Sequence, residues 1–378
     1  MRIIYVCALP TSKKHKGGAG LVILQLGAYF SAKGHEVKVI TRSKPSKSIL
    51  QFARNKGIEI LSPPSLPERI LIAGEPLTGY KKLKKSISNS DIIQSVNGAY
   101  TFLASVLKTT QGASVISDIH EIFNPHLDPL VLLKLYHYRE LLTLKIGSRL
   151  SNRILAHSES VRKEISQAWG LDSTVIPNGV DPDLFRPTKP KTPFAEKIAE
   201  MEGISLLFVG RLHYRKGILQ LLAGLRLLRR QGREIHLFIV GDGELSKYAN
   251  NLMKKLKIQD IVEFRGAVFQ KELPEIYSAA DWTIVPSISE AFGLVPLESL
   301  ACGTPVIATK IGGLAETLHG SVAEFIDSCT FKAIANAILR ATSWSLLPSS
   351  QNCREYVKTR YDWKRILPKY ERFYQMAI

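Results

Sequence analysis

The sequence predicts an α/β protein built from two doubly wound, parallel-sheet domains. A β–loop–α–β unit opens the chain, with strands at residues 3–8 and 36–41 around a helix at 21–33. A second strand, glycine loop and helix start afresh at residue 205. Between the two units lie Pro187, Pro190 and Pro193 with lysines among them, which reads as a linker. At 378 residues the chain exceeds one ordinary core and suits two domains, with the boundary expected near 180–195.

Residues 3–8 form a buried-type strand. The loop PTSKKHKGGAG follows and places Gly17, Gly18 and Gly20 at the start of the first helix, where glycine lets backbone amides approach a phosphate or sugar. Taken alone, GGAG is equally a flexible loop. Lys13, Lys14 and Lys16 add charge to it. Further strands are expected at 58–61, 91–94 and 114–117. A proline-rich loop (SPPSLPERI) and a basic helix or helix end at 81–85 lie between the first two of these. His120 falls where the strand before it ends and its loop begins, the edge at which open parallel sheets bind ligands. A structural histidine is the competing reading. The stretch LDPLVLLKLYHYRELLTLKI, residues 127–146, is the most lipophilic helix. It is either a core or lid helix or a basic amphipathic surface, with Lys134, Arg139, Lys145 and Arg149 as its charged partners. Residues 153–158 form the next strand, and 175–181 a strand plus turn.

In the second half, the strand at 205–209 runs into GRLHYRKG and a helix at 218–230. Arg211 and Lys216 are two cations in a loop leading to a helix N-terminus. Arg can fork onto phosphate oxygens and Lys can act as a point charge, so together they suit a diphosphate. Strands follow at 236–240 and 262–266, then a short helix at 273–280. The second half is organised around residues 286–313, PSISEAFGLVPLESLACGTPVIATKIGG. A strand at 282–285 leads through a polar turn into a helix from about 292 to 302. Gly303-Thr304-Pro305 stops that helix before a strand at 306–308. Glu290 sits at the helix mouth, whose amides suit an anion, and Glu298 lies about two turns along, where it could accept from a ribose diol. Two solvated helix charges are the plain alternative. Residues 361–376 read as a helix kinked at Pro368.

The formal charge is +18, and it is spread along the chain. Residues 1–185 hold 24 Lys+Arg against 14 Asp+Glu, and the remainder holds 27 against 19. Such a field favours polyanionic partners: nucleotide diphosphates, anionic lipid surfaces or nucleic acid. The four cysteines lack metal-type spacing; Cys7 and Cys302 are expected to be core thiols in a reducing cytoplasm. The N-terminal apolar run is too short for a signal peptide and reads as the first strand. No run of 18 apolar residues is present to span a membrane.

In order along the chain, GGAG, the strand ending in His120, PNGVD at 177–181, GRLHYRKG at 210–217, VGDGE at 240–244, SEAFGLVPLE at 289–298 and ACGTPVIAT with GG at 301–313 resemble the retaining glycosyltransferases of family 4. EAFGLVPLE together with GRL and RKG is the specific part. The resemblance implies the GT-B architecture, two facing Rossmann-like domains with an inter-domain cleft: an acceptor domain at 1–185, a nucleotide-sugar domain at 186–360, and a last helix at 361–378 crossing back to the first. It implies that Glu290 contacts the donor sugar, and that Phe292, Gly293 and Leu294 offer backbone to sugar, phosphate and nucleoside. Glu298 would bind the ribose. Arg211 and Lys216 would hold the diphosphate, approached by Gly18 and the neighbouring Gly17. His120 would face the sugar and Val268 the base. Because fixed cations and amides can stabilise the departing diphosphate, no metal or other cofactor is expected. The expected partners are a nucleotide-diphosphate sugar, a glycan or lipid-linked acceptor and an anionic membrane surface. The expected setting is the cytoplasm, at the inner face of a membrane, in envelope glycan or glycolipid synthesis. Other GT-B activities, a sucrose- or trehalose-type synthase or a phosphorylase, are the alternative. A nucleic-acid-binding role ranks below both, because the lysines are dispersed. The segment after Gly313 departs from the family pattern, which bears on the pocket rim.

Overall fold

The computed structural model describes residues 1–7, 9, 18–41, 45–61, 87, 89–96, 101–102, 104–105, 112–122, 131–343 and 348–378, with backbone alone for 131–137. The lysine loop with Gly17, the proline-rich loop and the basic stretch at 81–85 lie outside the described residues, as do residues 123–130. Two compact units form, Met1–Pro177 with Ile366–Ile378, and Asn178–Arg365.

The first unit is a parallel sheet of β1 (Arg2–Val6), β2 (Glu36–Ile40), β3 (Ile58–Leu61), β4 (Ile92–Ser95), β5 (Ser114–Ile119), β6 (Arg153–Ala156) and β7 (Thr174–Val175), in the order β3-β2-β1-β4-β5-β6-β7. β4 and β5 are buried along their whole length. Continuous burial of this kind marks strands covered on both faces. The returning C-terminal residues supply part of that cover. The ring of Tyr374 stacks on Phe30 at 4.8 Å, and Tyr370, Phe373 and Tyr374 are buried.

The second unit holds β8 (Ile204–Val209), β9 (Ile235–Val240), β10 (Val262–Gly266), β11 (Trp282–Val285), β12 (Val306–Thr309) and β13 (Ala323–Ile326), in the order β10-β9-β8-β11-β12-β13. All its pairings are parallel. The strand order reverses between β8 and β11, so the crevice at their C-terminal ends is the topological switch point. The loops bearing GRLHYRKG and SEAFG leave from those two ends.

The boundary between the units falls at Pro177/Asn178, ahead of residue 185. The reason is a parallel bridge between Val180 and Asp362, in which Val180 N donates to Tyr361 O at 2.8 Å and Trp363 N to Val180 O at 3.2 Å. Phe185 is buried in the core of the second unit. The expected strand at 175–181 is therefore the short β7 plus this bridge. Pro368 sits inside the helix Trp363–Gln375. Cys7 and Cys302 are buried free thiols. Among the described residues, no helix is long and apolar enough to cross a membrane.

Candidate active site

The site of the second unit is built by two loops in backbone contact. Ile288 N donates to Arg215 O at 2.7 Å. Gly217 is left-handed at φ +69°, and a Cβ there would stand 1.9 Å from the Pro286 carbonyl oxygen, so that approach requires glycine. Between them the chain makes one 3-10 turn, Tyr214–Lys216, capped by His213, whose Nδ1 accepts from Arg215 N at 3.2 Å. The turn sends Lys216 onto Glu290, with Nζ 2.5 Å from Oε2. Ser287 Oγ donates to the same carboxylate oxygen at 3.2 Å.

Arg211 lies at the rim, 68% exposed, and its Nε reaches Glu244 Oε2 at 3.1 Å; His213 Nε2 meets the other oxygen of Glu244 at 3.0 Å. Between Arg211 and Lys216 in sequence stands Arg215, which the sequence reading did not single out. Burial lowers its guanidinium from the ordinary value, while Glu290 and Glu244 act in the opposite sense. Three cations in one loop gave no sign of which faced inward; the 3-10 turn decides it.

The helix after the second loop is Leu294–Ala301, starting later than the expected 292–293 because Gly293 is left-handed at φ +91°. A Cβ on Gly313 would stand 2.2 Å from Ala291 O, so the Ala291–Gly293 backbone packs directly onto that glycine. Gly313 N in turn donates to Glu290 O at 2.9 Å. Phe292 is buried in the core of the unit, and its carbonyl accepts from Thr317 Oγ1 at 3.2 Å. Leu294 and Val268 are half-buried against the same core. Glu298 accepts from the buried Tyr277 hydroxyl at 2.9 Å. Burial, reinforced by Glu298, pushes that phenol well above its ordinary range. Glu290 and Glu298 are therefore not a pair of solvated helix charges; each is held by a partner of its own. Tyr277 had no sequence signal beyond its place in a short amphipathic helix.

In the first unit Gly18 is the first residue of the helix Gly18–Ala32. His120 follows β5 directly. Register brings further groups to it, because side chains two apart on a strand share a face. Tyr5 pairs with Gln94, and Gln94 with Ile116; two residues on, Asp118 pairs with Leu155. One face thus carries Tyr5, Gln94, Asp118, His120 and His157. Gln94 Nε2 donates to Asp118 Oδ2 at 2.6 Å, and His157 Nε2 lies 2.7 Å from Asp118 Oδ1. The donor atoms of Asp118, His120 and His157 lie within 4.8 Å of one another, a spacing a metal could use. Each carboxylate oxygen accepts one of these hydrogen bonds, so the groups form a hydrogen-bonded network. The sequence reading singled out neither Asp118 nor His157, which lies in the strand expected at 153–158. An acid inside an apolar strand, two before a histidine, was the available signal.

The Glycosyltransferase Family 4 profile matches residues 16–184, and the Glycosyl transferases group 1 profile matches residues 189–360. An uncharacterized glycosyltransferase of Methanocaldococcus jannaschii is 30% identical over 60% of this chain and 61% of its own. A D-inositol 3-phosphate glycosyltransferase of Pseudarthrobacter chlorophenolicus is 35% identical over 46% of this chain and 44% of its own. The chain thus spans about half to three fifths of the length of these relatives. Among solved structures, the sucrose-phosphate synthase of Thermosynechococcus elongatus superimposes with a TM-score of 0.80 at 20% identity, covering 100% of this chain and 99% of its own. Anabaena HepE in complex with UDP-glucose gives 0.80 at 19% identity, with both chains fully covered. The fold is that of the GT-B glycosyltransferases.

Proposed function

We propose, for a chain that belongs to the glycosyltransferases of the family 4 and group 1 profiles, the transfer of a sugar from a nucleotide-diphosphate sugar to an acceptor, with retention of configuration and without a metal. The observation that carries this reading is the contact of Lys216 with Glu290 at the switch point of the second unit. A nucleotide sugar has a group for each: phosphate oxygens for the lysine and sugar hydroxyls for the acid. Arg211 and Arg215 add positive charge, and the amides at Gly293 and Leu294 add donors. Fixed positive charge of this kind stabilises a departing diphosphate without reorganisation. Glu298 is assigned to the ribose, Val268 to the base, His120 to the transferred sugar, and Gly18 with Gly17 to the diphosphate. HepE, which shares the fold, was solved with UDP-glucose, and that donor is the first to test.

The acceptor is proposed to be a glycan or a lipid-linked sugar, reached at an anionic membrane surface from the cytoplasmic side. The helix Val131–Leu150 supports this. It exposes Tyr138, Leu142, Ile146 and Leu150 at a spacing of four, one face of a helix, with Lys145 and Arg149 on the same helix.

A thermal-shift series of the purified protein with UDP-, GDP- and ADP-sugars, without added metal, tests the donor. A donor at about 100 times its Kd adds about 2.7 kcal/mol of apparent stability. One stabilising donor that is also turned over is the expected result. Silence from every donor, repeated with added metal, overturns the reading.

A further inference from the structure

We propose that Asp118 and His157 form a buried ion pair whose task is to hold the adjacent His120 neutral, with its Nε2 free of hydrogen bonds. The proposal rests on the assignment of His120 to the transferred sugar. Its geometry lies wholly within the first unit.

His157 has an acceptor at each ring nitrogen: the Ile176 carbonyl 2.9 Å from Nδ1, and Asp118 Oδ1 2.7 Å from Nε2. A neutral imidazole has one N–H and satisfies one acceptor; only the doubly protonated ring donates to both. Its side chain and that of Asp118 are fully buried, so the cation and the carboxylate neutralise each other away from water. The second carboxylate oxygen is occupied as well. The Tyr374 hydroxyl donates to Gln94 Oε1, which fixes the amide so that Nε2 points at Asp118 Oδ2. Asp118 Oδ2 is thus held toward Gln94 and stands 3.6 Å from His120 Nε2.

His120 sits against this pair. Its ring centroid is 4.1 Å from that of His157. Its Nε2 is buried and makes no hydrogen bond; Asp118 Oδ2, at 3.6 Å, is beyond reach. The ring itself keeps 21% exposure, so one edge faces solvent. A second imidazolium there would press on the first. Burial, and then the His157 charge, accordingly set His120 below its ordinary range, against the pull of Asp118. Imidazole charge and hydrogen bonding beside Asp118 outweigh its burial and hold its carboxyl below the carboxylate range. Tyr5, Cys7, Tyr370 and Tyr374 surround Asp118, and burial pushes all four up, so they bring no charge.

Neutrality suits the proposed reaction. Glycosyl transfer builds positive charge on the sugar ring, as glycoside hydrolysis does. An imidazolium beside that ring would oppose it, whereas a neutral imidazole can hydrogen-bond a hydroxyl at no electrostatic cost. Asp118 and His157 are positioning residues in this scheme.

NMR titration of histidine-labelled full-length protein reads both charges directly, with signals assigned in the unaltered protein from the through-space contact of the two rings, 4.1 Å apart, and cross-checked in His120→Gln and His157→Gln. In the unaltered protein His157 is expected to be charged and His120 neutral at pH 6. In His157→Gln, which keeps a donor toward Asp118 but removes the cation, the His120 midpoint rises by about one pH unit or more. The acid limb of kcat/KM moves up with it. A neutral His157 in the unaltered protein would overturn the ion pair, a charged His120 at pH 6 or an unmoved His120 midpoint in the variant would overturn its hold on His120, and the readings on the unaltered protein need no variant to fold. A moved midpoint with an unmoved acid limb would overturn the positioning role. If the NMR result holds but His120→Gln keeps full turnover, the assignment of His120 to the sugar fails while the ion pair stands.

Discussion

Lys216 Nζ stands 2.5 Å from Glu290 Oε2, so the lysine proposed for the diphosphate already has an anionic partner. Two charges on partly exposed side chains add little to folding, about 0–1 kcal/mol. The pair costs little to open, and each member is held where a bound substrate can share it.

Glu290→Ala and Lys216→Ala are therefore expected to leave the melting temperature nearly unchanged while turnover falls about 100-fold or more, the scale of losing one transition-state contact. Parallel calorimetry and donor-turnover assays check this. Near-normal turnover in Glu290→Ala would remove the site from these two loops.

Gly217→Ala is expected to act through the fold of the site. The added methyl meets the Pro286 carbonyl at 1.9 Å, in a left-handed conformation. The loss should exceed the about 1–2 kcal/mol of left-handed strain alone. Gly232, left-handed at φ +70° with open space around it, supplies the control, since its alanine variant carries the strain without the clash. Equal melting temperatures for the two variants would disprove the close approach.

Much of this architecture was legible in the chain because glycine and apolar runs report local constraints. The helix at 218–230 was read with the bounds the structure gives it, and the glycine-bounded loop before it ends at Gly217 as read, whereas the left-handed turn at Gly293 was read as helix. Glu290 and Glu298 were visible as acids between apolar flanks. Other features depend on register or on a single turn. Asp118 and His157 are 39 residues apart, and only the pairing of β5 with β6 unites them. Tyr374 and Gln94 are 280 apart. No local pattern in a sequence encodes such separations. Arg215 was obscured differently, by equivalent cations on either side.

Tyr277→Phe tests the support of Glu298. The fold should lose about 1 kcal/mol, the scale of one hydrogen bond. Glu298 then loses the donor that orients it, and KM for the nucleotide sugar should rise several-fold with kcat held. Steady-state kinetics separate the two constants. A fall in kcat with unchanged KM would contradict a ground-state role in holding the ribose.

Stability should fall on the alkaline side through the buried thiols. Burial pushes Cys7 and Cys353 up to about 12 from 9.0. Between those values the folded chain keeps protons that the unfolded chain releases. The stabilisation is complete below pH 9 and is lost as pH rises toward 12, with a slope of about 1.4 kcal/mol per pH unit for each thiol. Denaturant midpoints from pH 8 to 11 should show the decline, and Cys353→Ala should lessen its slope by one thiol's share. An unaltered slope in the variant would exclude Cys353 as a source.

The exposed ridge on the helix Val131–Leu150 gives the membrane proposal its test. Leu142 is 57% exposed and Ile146 39%, one turn apart on the same face. Burying such side chains in a lipid interface is worth about 25 cal/mol per Å² of apolar surface, and neighbouring Lys145 and Arg149 would add attraction to anionic headgroups. Leu142→Glu with Ile146→Glu replaces that gain with two charges repelled by the same headgroups. Because both positions already face water, the melting temperature should barely change. Flotation with vesicles containing phosphatidylglycerol should show the unaltered protein bound, the double variant released, and binding weakened by salt. If the unaltered protein fails to float, the acceptor is not met at an anionic surface. If the double variant floats as well as its parent, the charge of the chain binds membranes elsewhere, and this ridge has another use.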